Sequence, residues 1–139
     1  MALAAVLVVL GVLDAVWLAT MVPGVYRPQL GGLLADRPAW LAAVAFYGLY
    51  AAGILVLVVL PALDSGPERA AGRPGSRSLR AAALHGALLG LVAYGTYDLT
   101  NLATLRDWPL TVTVIDMGWG MILTATASVA AVWAGRRVR

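Results

Sequence analysis

The chain has 139 residues, of which 61% are hydrophobic and only 12% are charged, and it contains no cysteine. A soluble domain is usually about a quarter charged, so this composition excludes an ordinary soluble protein and indicates one integral membrane domain. Without cysteine there are no disulfides or thiolate ligands. The net charge of +3 follows the connections between apolar segments, which argues against a nucleic-acid partner.

Four apolar segments follow one another along the chain, at about residues 2–22, 39–60, 80–102 and 110–134. Each is close to the length that a helix needs to cross a hydrocarbon core of about 30 Å. Alanine, leucine, valine and glycine dominate them, which favours closely packed helices over the strands of a barrel. We therefore predict an all-α, four-helix transmembrane bundle that forms a single domain over residues 1–139.

The connections divide this bundle into two helical hairpins. Residues 23–38 are rich in proline and glycine and predict a short ordered loop at the outer surface. Residues 61–79 predict a cytoplasmic linker, and Pro109 suits the first turn of the fourth helix. A pattern of D-x-x-x-L-A-T begins at Asp14 and again at Asp98, so the two hairpins are a candidate pseudo-repeat.

The basic residues predict the orientation of the chain in the membrane. Seven of the ten lie in the middle connection, at its edge or in the tail. Because positive residues are retained on the cytoplasmic side, both termini and the middle connection are predicted to be cytoplasmic. Tryptophans favour membrane interfaces, and Trp133 lies near the predicted inner boundary.

Three aspartates, Asp14, Asp98 and Asp116, interrupt three different apolar segments. An ionised carboxylate costs roughly 2.5–3.5 kcal/mol at the centre of a membrane helix on insertion scales. At 1.5 Å per residue, all three would lie about 6–12 Å below the outer ends of their helices. Three acids at one depth predict an outward-facing carboxylate pocket in the bundle.

Helical spacing adds neighbours to these acids, and the motif D-x-x-W occurs at Asp14 and again at Asp116. Residues three or four positions from an aspartate share its helix face. Tyr97 is instead adjacent to Asp98 in the sequence, and Tyr47 lies at a similar depth on the second helix. The predicted binding residues beside the aspartates are Trp17, Tyr47, Tyr94, Tyr97, Asn101, Thr113 and Trp119.

Two alternatives to a binding site remain open at this point. An arginine from an outer connection, Arg27, Arg37 or Arg106, could reach a carboxylate, and Asp–Arg or Asp–Tyr pairs could simply fix helix register. A buried acid can also be protonated and neutral. The segment from Gly86 to Gly90 has small-xxx-small spacing, which predicts close helix packing in the bundle or, alternatively, a homodimer contact.

The chemistry of a carboxylate pocket is open as well. Carboxylates with amide and hydroxyl oxygens suit a hard cation or a proton, and aromatic walls suit an organic cation. Paired acids could also perform acid–base catalysis on a lipid or isoprenoid. Zinc is disfavoured because histidine is single and cysteine is absent. No catalytic or metal site is assigned, and no cofactor is expected.

The chain resembles a group of small four-helix bacterial inner-membrane proteins classed as a domain of unknown function. The resemblance rests on Asp14, the segments Tyr26-Arg27-Pro28 and Phe46-Tyr47-Gly48, and above all the motif YGTYDLTN at 94–101, continuing to 104 and then to 108–109 and 116–120. It covers essentially the whole chain. It implies a multi-pass protein of the bacterial plasma membrane and carries over no activity.

Three functional hypotheses follow. The first is the binding or transport of a cation, a proton or a small polar molecule at the carboxylate/aromatic pocket. The second is a structural or accessory membrane subunit. The third is an integral membrane enzyme acting on a lipid or isoprenoid, so whether the protein is an enzyme stays open. The lipid bilayer is the expected partner, and a homodimer is compatible with the first hypothesis.

Overall fold

The structure, a computed structural model, describes residues 1–64 and 76–137, which form four long helical segments and no strand within those ranges. They are α1 (Ala2–Leu33), α2 (Trp40–Asp64), α3 (Ser76–Thr104) and α4 (Leu110–Arg136). The predicted all-α membrane bundle is confirmed. Most of the linker predicted for 61–79, and the last two residues of the tail, lie outside the described residues.

Helix α1 extends well beyond the end that the sequence predicted at residue 22. An α-helix over Ala2–Met21 continues as a π-helical stretch at Val22–Tyr26 and ends in a short α-helical and 3₁₀ segment. Pro23 cannot donate a backbone hydrogen bond, and the wider π turn accommodates this missing donor without ending the helix. The outer loop expected for 23–38 is therefore largely helical.

Helix α2 contains a similar irregularity before its own proline. Its α-helix, Trp40–Ile54, passes into a π-helical stretch at Leu55–Val59 and then into Leu60–Asp64. Pro61 follows the π-helical stretch and, like Pro23, lacks an N–H group. Both prolines thus lie within long helices. The connection of the first hairpin is short because α1 continues to Leu33 and α2 begins at Trp40.

Helix α4 is the central element of the bundle and packs against each of the other three. Its buried face consists mainly of small and β-branched residues. It runs antiparallel to α1, since Gly135 lies beside Ala2 while Trp119 lies beside Trp17. The core cluster combines this face with residues of α1 and α2 that include Val6, Leu10 and Ile54.

Helices α3 and α4 approach most closely at the predicted small-xxx-small segment. A Cβ atom added to Gly86 would lie 2.6 Å from Ser128 Oγ, and one added to Gly90 would collide with the Gly120 backbone. Only glycine permits backbones to approach this closely, as is common between membrane helices. The glycines therefore serve packing within the bundle, between two antiparallel helices of the same chain.

The surface of the bundle suits a bilayer. Within the described residues, α1, α2 and α4 are long and apolar enough to span a membrane. Large apolar side chains point outwards, and Leu41 and Leu49 are 85% and 78% exposed. Helix α3 has 29 residues and is more polar, but it packs antiparallel along α4 through its glycines. The molecule is therefore a membrane protein with at least three helices suited to spanning.

We expect Gly90→Ala to lower the free energy of unfolding in detergent by about 1–3 kcal/mol, because overpacking forces two backbones apart. Gly118→Ala is the matched control, since an added Cβ there meets no atom within 4 Å. Thermal unfolding of the two variants and the unsubstituted protein measures the difference. Equal stability of the two variants would contradict the close α3–α4 contact.

Candidate functional site

Asp14 connects three helices through its two carboxylate oxygens. It is only 7% exposed on α1. The Tyr47 hydroxyl of α2 donates a hydrogen bond to Oδ2 at 2.8 Å, and the Trp119 indole of α4 donates to Oδ1 at 2.9 Å. Hydrogen bonds to an ionised group are worth about 1.5–3 kcal/mol, so these donors stabilise the acid and hold α1, α2 and α4 together.

Asp116 is also linked to a tryptophan, but the link passes through a tyrosine. The Tyr26 hydroxyl donates a short hydrogen bond to Oδ1 of Asp116. The same hydroxyl accepts a hydrogen bond from the Trp17 indole at 2.7 Å. Tyr26 is 8% exposed and belongs to the π-helical stretch of α1. It therefore connects α1 to the carboxylate of α4.

The two indoles lie against each other in the middle of this network. Trp17 and Trp119 stack with ring centroids 4.2 Å apart and ring planes 4° apart. Because α1 and α4 are antiparallel, each D-x-x-W motif places its tryptophan at the level of the other motif's aspartate. Trp119 bonds Asp14 directly, and Trp17 reaches Asp116 through Tyr26. We call these five residues together with Tyr47 the carboxylate–indole site.

Asp98 is buried differently from the other two acids. It is 0% exposed, and neither carboxylate oxygen has a hydrogen-bond partner among the described residues. It interacts electrostatically with Asp116, and Asp116 in turn with Asp14. Asp116 is therefore within electrostatic range of both other acids. The outward-facing carboxylate pocket expected from the sequence stays a prediction.

The remaining predicted residues divide into two groups. Tyr94 lies inside the bundle. Its ring packs edge-to-face with that of Tyr50, with ring centroids 6.4 Å apart, and its side chain lies over Gly120. Thr113 is buried, but its hydroxyl accepts the Trp108 indole N–H at 3.1 Å instead of contacting an acid.

Tyr97 is 59% exposed, packs its ring edge on Trp108 at 5.8 Å, and has Asn101 beside it. Tyr97 is therefore at the surface of the bundle and does not line the carboxylate–indole site.

The donors to the acids are phenols and indoles. Arg27, near the end of α1, and Arg37 and Arg106, on the short connections, were considered as partners for the acids and are all exposed. Of the sequence-level alternatives, Asp–Tyr pairing is the one that the geometry shows, at Tyr47 and Tyr26. The tyrosines are neutral donors and do not cancel the charge of a carboxylate. The site therefore has a net negative charge whenever its acids are ionised.

Tyr26 is the residue of the carboxylate–indole site that sequence reasoning missed. It was assigned to an outer loop because Pro23 and Pro28 flank it. Nine residues separate it from Trp17, which is two and a half turns of an unbroken α-helix and puts the two on opposite faces. The π-helical stretch changes this rotation. The apolar composition of residues 21–26 was the available signal that the helix continues.

We expect Tyr26→Phe to destabilise the protein by about 1–3 kcal/mol, because it leaves the partly buried Trp17 donor and Asp116 carboxylate without their partner. Tyr97→Phe removes a hydroxyl from an exposed tyrosine on α3 and should have little effect. Thermal unfolding in one detergent compares the two. A loss no larger for Tyr26→Phe than for Tyr97→Phe would count against the bridging role of Tyr26.

Comparison with known proteins agrees with the geometry of the chain. The sequence profile of a family described as "Predicted membrane protein (DUF2177)" matches residues 1–133. No curated protein and no solved structure matches the chain. The match covers nearly all of the chain, including both D-x-x-W motifs and the YGTYDLTN segment. The chain therefore belongs to the DUF2177 family of predicted membrane proteins.

Proposed function

We propose that this protein binds a proton or a small monovalent cation at Asp98 and Asp116, within a four-span bundle of the bacterial plasma membrane whose termini are both cytoplasmic. The observation that carries the proposal is the state of Asp98, a fully buried acid whose two oxygens have no hydrogen-bond partner among residues 1–64 and 76–137. An unpaired carboxylate in the interior is strongly unfavourable, so a bound positive species would remove most of its cost.

The contrast with Asp14 supports a binding role for Asp98. Asp14 has one donor for each oxygen, and those donors come from two other helices. That geometry suits a structural role within the bundle, and we assign this role to Asp14. No residue in the described part of the chain donates to Asp98, so holding helices in register does not explain why it is there.

The type of positive species follows from what surrounds the acids. In the described part of the chain, no three acidic, histidine or cysteine side chains come together as a metal-binding group. A divalent ion usually needs more oxygen ligands than two carboxyls provide. Asp98 and Asp116 interact electrostatically, so a single positive charge between or on them would relieve both. This favours a proton or a monovalent cation.

The proposed orientation rests on the distribution of arginine. Seven of the ten basic residues lie in the middle connection, at its edge or in the tail, which supports a cytoplasmic location for both. Helix α3 then crosses the membrane with α1, α2 and α4, because it runs along α4 and its 29 residues would cover about 44 Å at 1.5 Å each. The acids then lie in the outer half of the bilayer.

The test measures how the thermal stability of purified protein in detergent depends on its ions. Sodium, potassium and proton concentrations are varied one at a time at constant ionic strength. A ligand that binds only the folded state at 100 times its Kd stabilises by about 2.7 kcal/mol. We expect the unsubstituted protein to be stabilised by one of these ions and Asp98→Asn to lose that dependence.

Asp36→Asn is the matched control, since it removes the same charge from an exposed position of the first connection. It should retain the full ion dependence. Stability that responds to none of the three ions, or that responds equally in Asp98→Asn, would overturn the proposal. Stability lost in Asp98→Asn without any ion dependence in the unsubstituted protein would favour a structural role instead.

A further inference from the structure

An apolar groove lies between α3 and α4, at the end of the bundle opposite the acids. Its lining is Ala83, Ala125, Thr126, Val129, Ala130 and Trp133. The small side chains leave space beside the close contact of Gly86 with α4. The Thr126 hydroxyl donates back to the Ile122 carbonyl at 2.7 Å, so it has its partner within its own helix. The groove has a volume of about 440 Å³ and is open to the surrounding bilayer.

Two arginines, Arg137 and Arg80, lie at one end of this groove. The Arg137 guanidinium lies 3.6 Å from the centroid of the Trp133 ring, and Trp133 is 50% exposed. Arg80, an exposed residue of α3, precedes Ala83 by three positions and shares its helix face. The antiparallel register that pairs Gly86 with Ser128 puts Arg80 near the level of Trp133.

We propose that this groove is a binding site for an anionic phospholipid. One acyl chain lies along the alanine-lined groove, and the phosphate lies at the membrane surface between Arg137 and Arg80. Trp133 separates the two regions, as indoles do at the level of lipid headgroups. Arginine forms bidentate hydrogen bonds with phosphate, and each basic residue near an anionic membrane surface adds about 1 kcal/mol. The proposal does not depend on ion binding at Asp98.

Charge complementarity favours a lipid over a second copy of this chain. A second copy would bring its own arginines to the same end of the groove, and like charges would oppose each other there. A zwitterionic lipid could fill the groove equally well with its acyl chain. It lacks the net negative charge that two arginines select. The expected preference is therefore for the anionic headgroup and not for the chain alone.

The experiment is native mass spectrometry of the full-length protein with an equimolar mixture of phosphatidylglycerol and phosphatidylcholine of identical acyl chains. We expect the retained lipid to be mainly phosphatidylglycerol. Arg137→Gln should weaken phosphatidylglycerol retention about fivefold, the factor that one basic residue contributes. Ala130→Leu, which fills the groove, should reduce retention of both lipids. Arg37→Gln, an exposed arginine on the first connection, is the control and should change neither.

Several outcomes would overturn the proposal. Equal retention of the two lipids would show that the arginines select no headgroup. Retention unchanged by both Arg137→Gln and Ala130→Leu would place the lipid elsewhere. A dimer that Ala130→Leu dissociates would identify a second copy as the occupant. Ala130→Leu is also tested for thermal unfolding, and Arg137→Gln stands as an independent variant should that substitution prevent folding.

Discussion

The structure depends on one constraint, which is that a carboxylate inside a membrane protein must obtain its hydrogen bonds from the protein itself. Asp14 and Asp116 meet this constraint because the tryptophan of each of two antiparallel helices is linked by hydrogen bonds to the aspartate of the other. Trp119 serves Asp14, Trp17 serves Asp116 through Tyr26, and the two indoles stack between them. These hydrogen bonds fix the position of α1 along α4, because a shift by one turn would break every one of them.

Asp98 does not meet the same constraint within the described residues. It is the fully buried acid whose oxygens the described part of the chain leaves unpartnered, and it adjoins the network electrostatically at Asp116. Asp14 and Asp116 have donors from other helices, and Asp98, which we propose binds a positive species together with Asp116, has none among the described residues. The lipid groove lies at the other end of the α3–α4 pair, so the two proposed sites are spatially separate.

Much of this architecture could be predicted from the sequence, because apolar length and glycine spacing are local properties. The membrane bundle and the packing role of Gly86 and Gly90 follow from them. The aspartates could be identified as a set because charges stand out in apolar segments. Tyr47 and Trp119 were among the predicted site residues, but which donor serves which acid could not be predicted, since each donor comes from a distant part of the chain. Tyr26 was hidden by a π-helical stretch that no spacing rule anticipates, and the exposure of Tyr97 depends on the rotation of α3.

The most direct test compares the stabilities of Asp14→Asn, Asp116→Asn and Asp98→Asn in one detergent under conditions without added cation. The first two should lose about 1–2 kcal/mol, because an amide weakens charge-assisted hydrogen bonds from tyrosine and tryptophan. Asp98→Asn should be unchanged or more stable, because it replaces an unpartnered acid and breaks no bond. A loss at Asp98 as large as that at Asp14 would contradict the distinction between acids with hydrogen-bond donors from other helices and the acid without them.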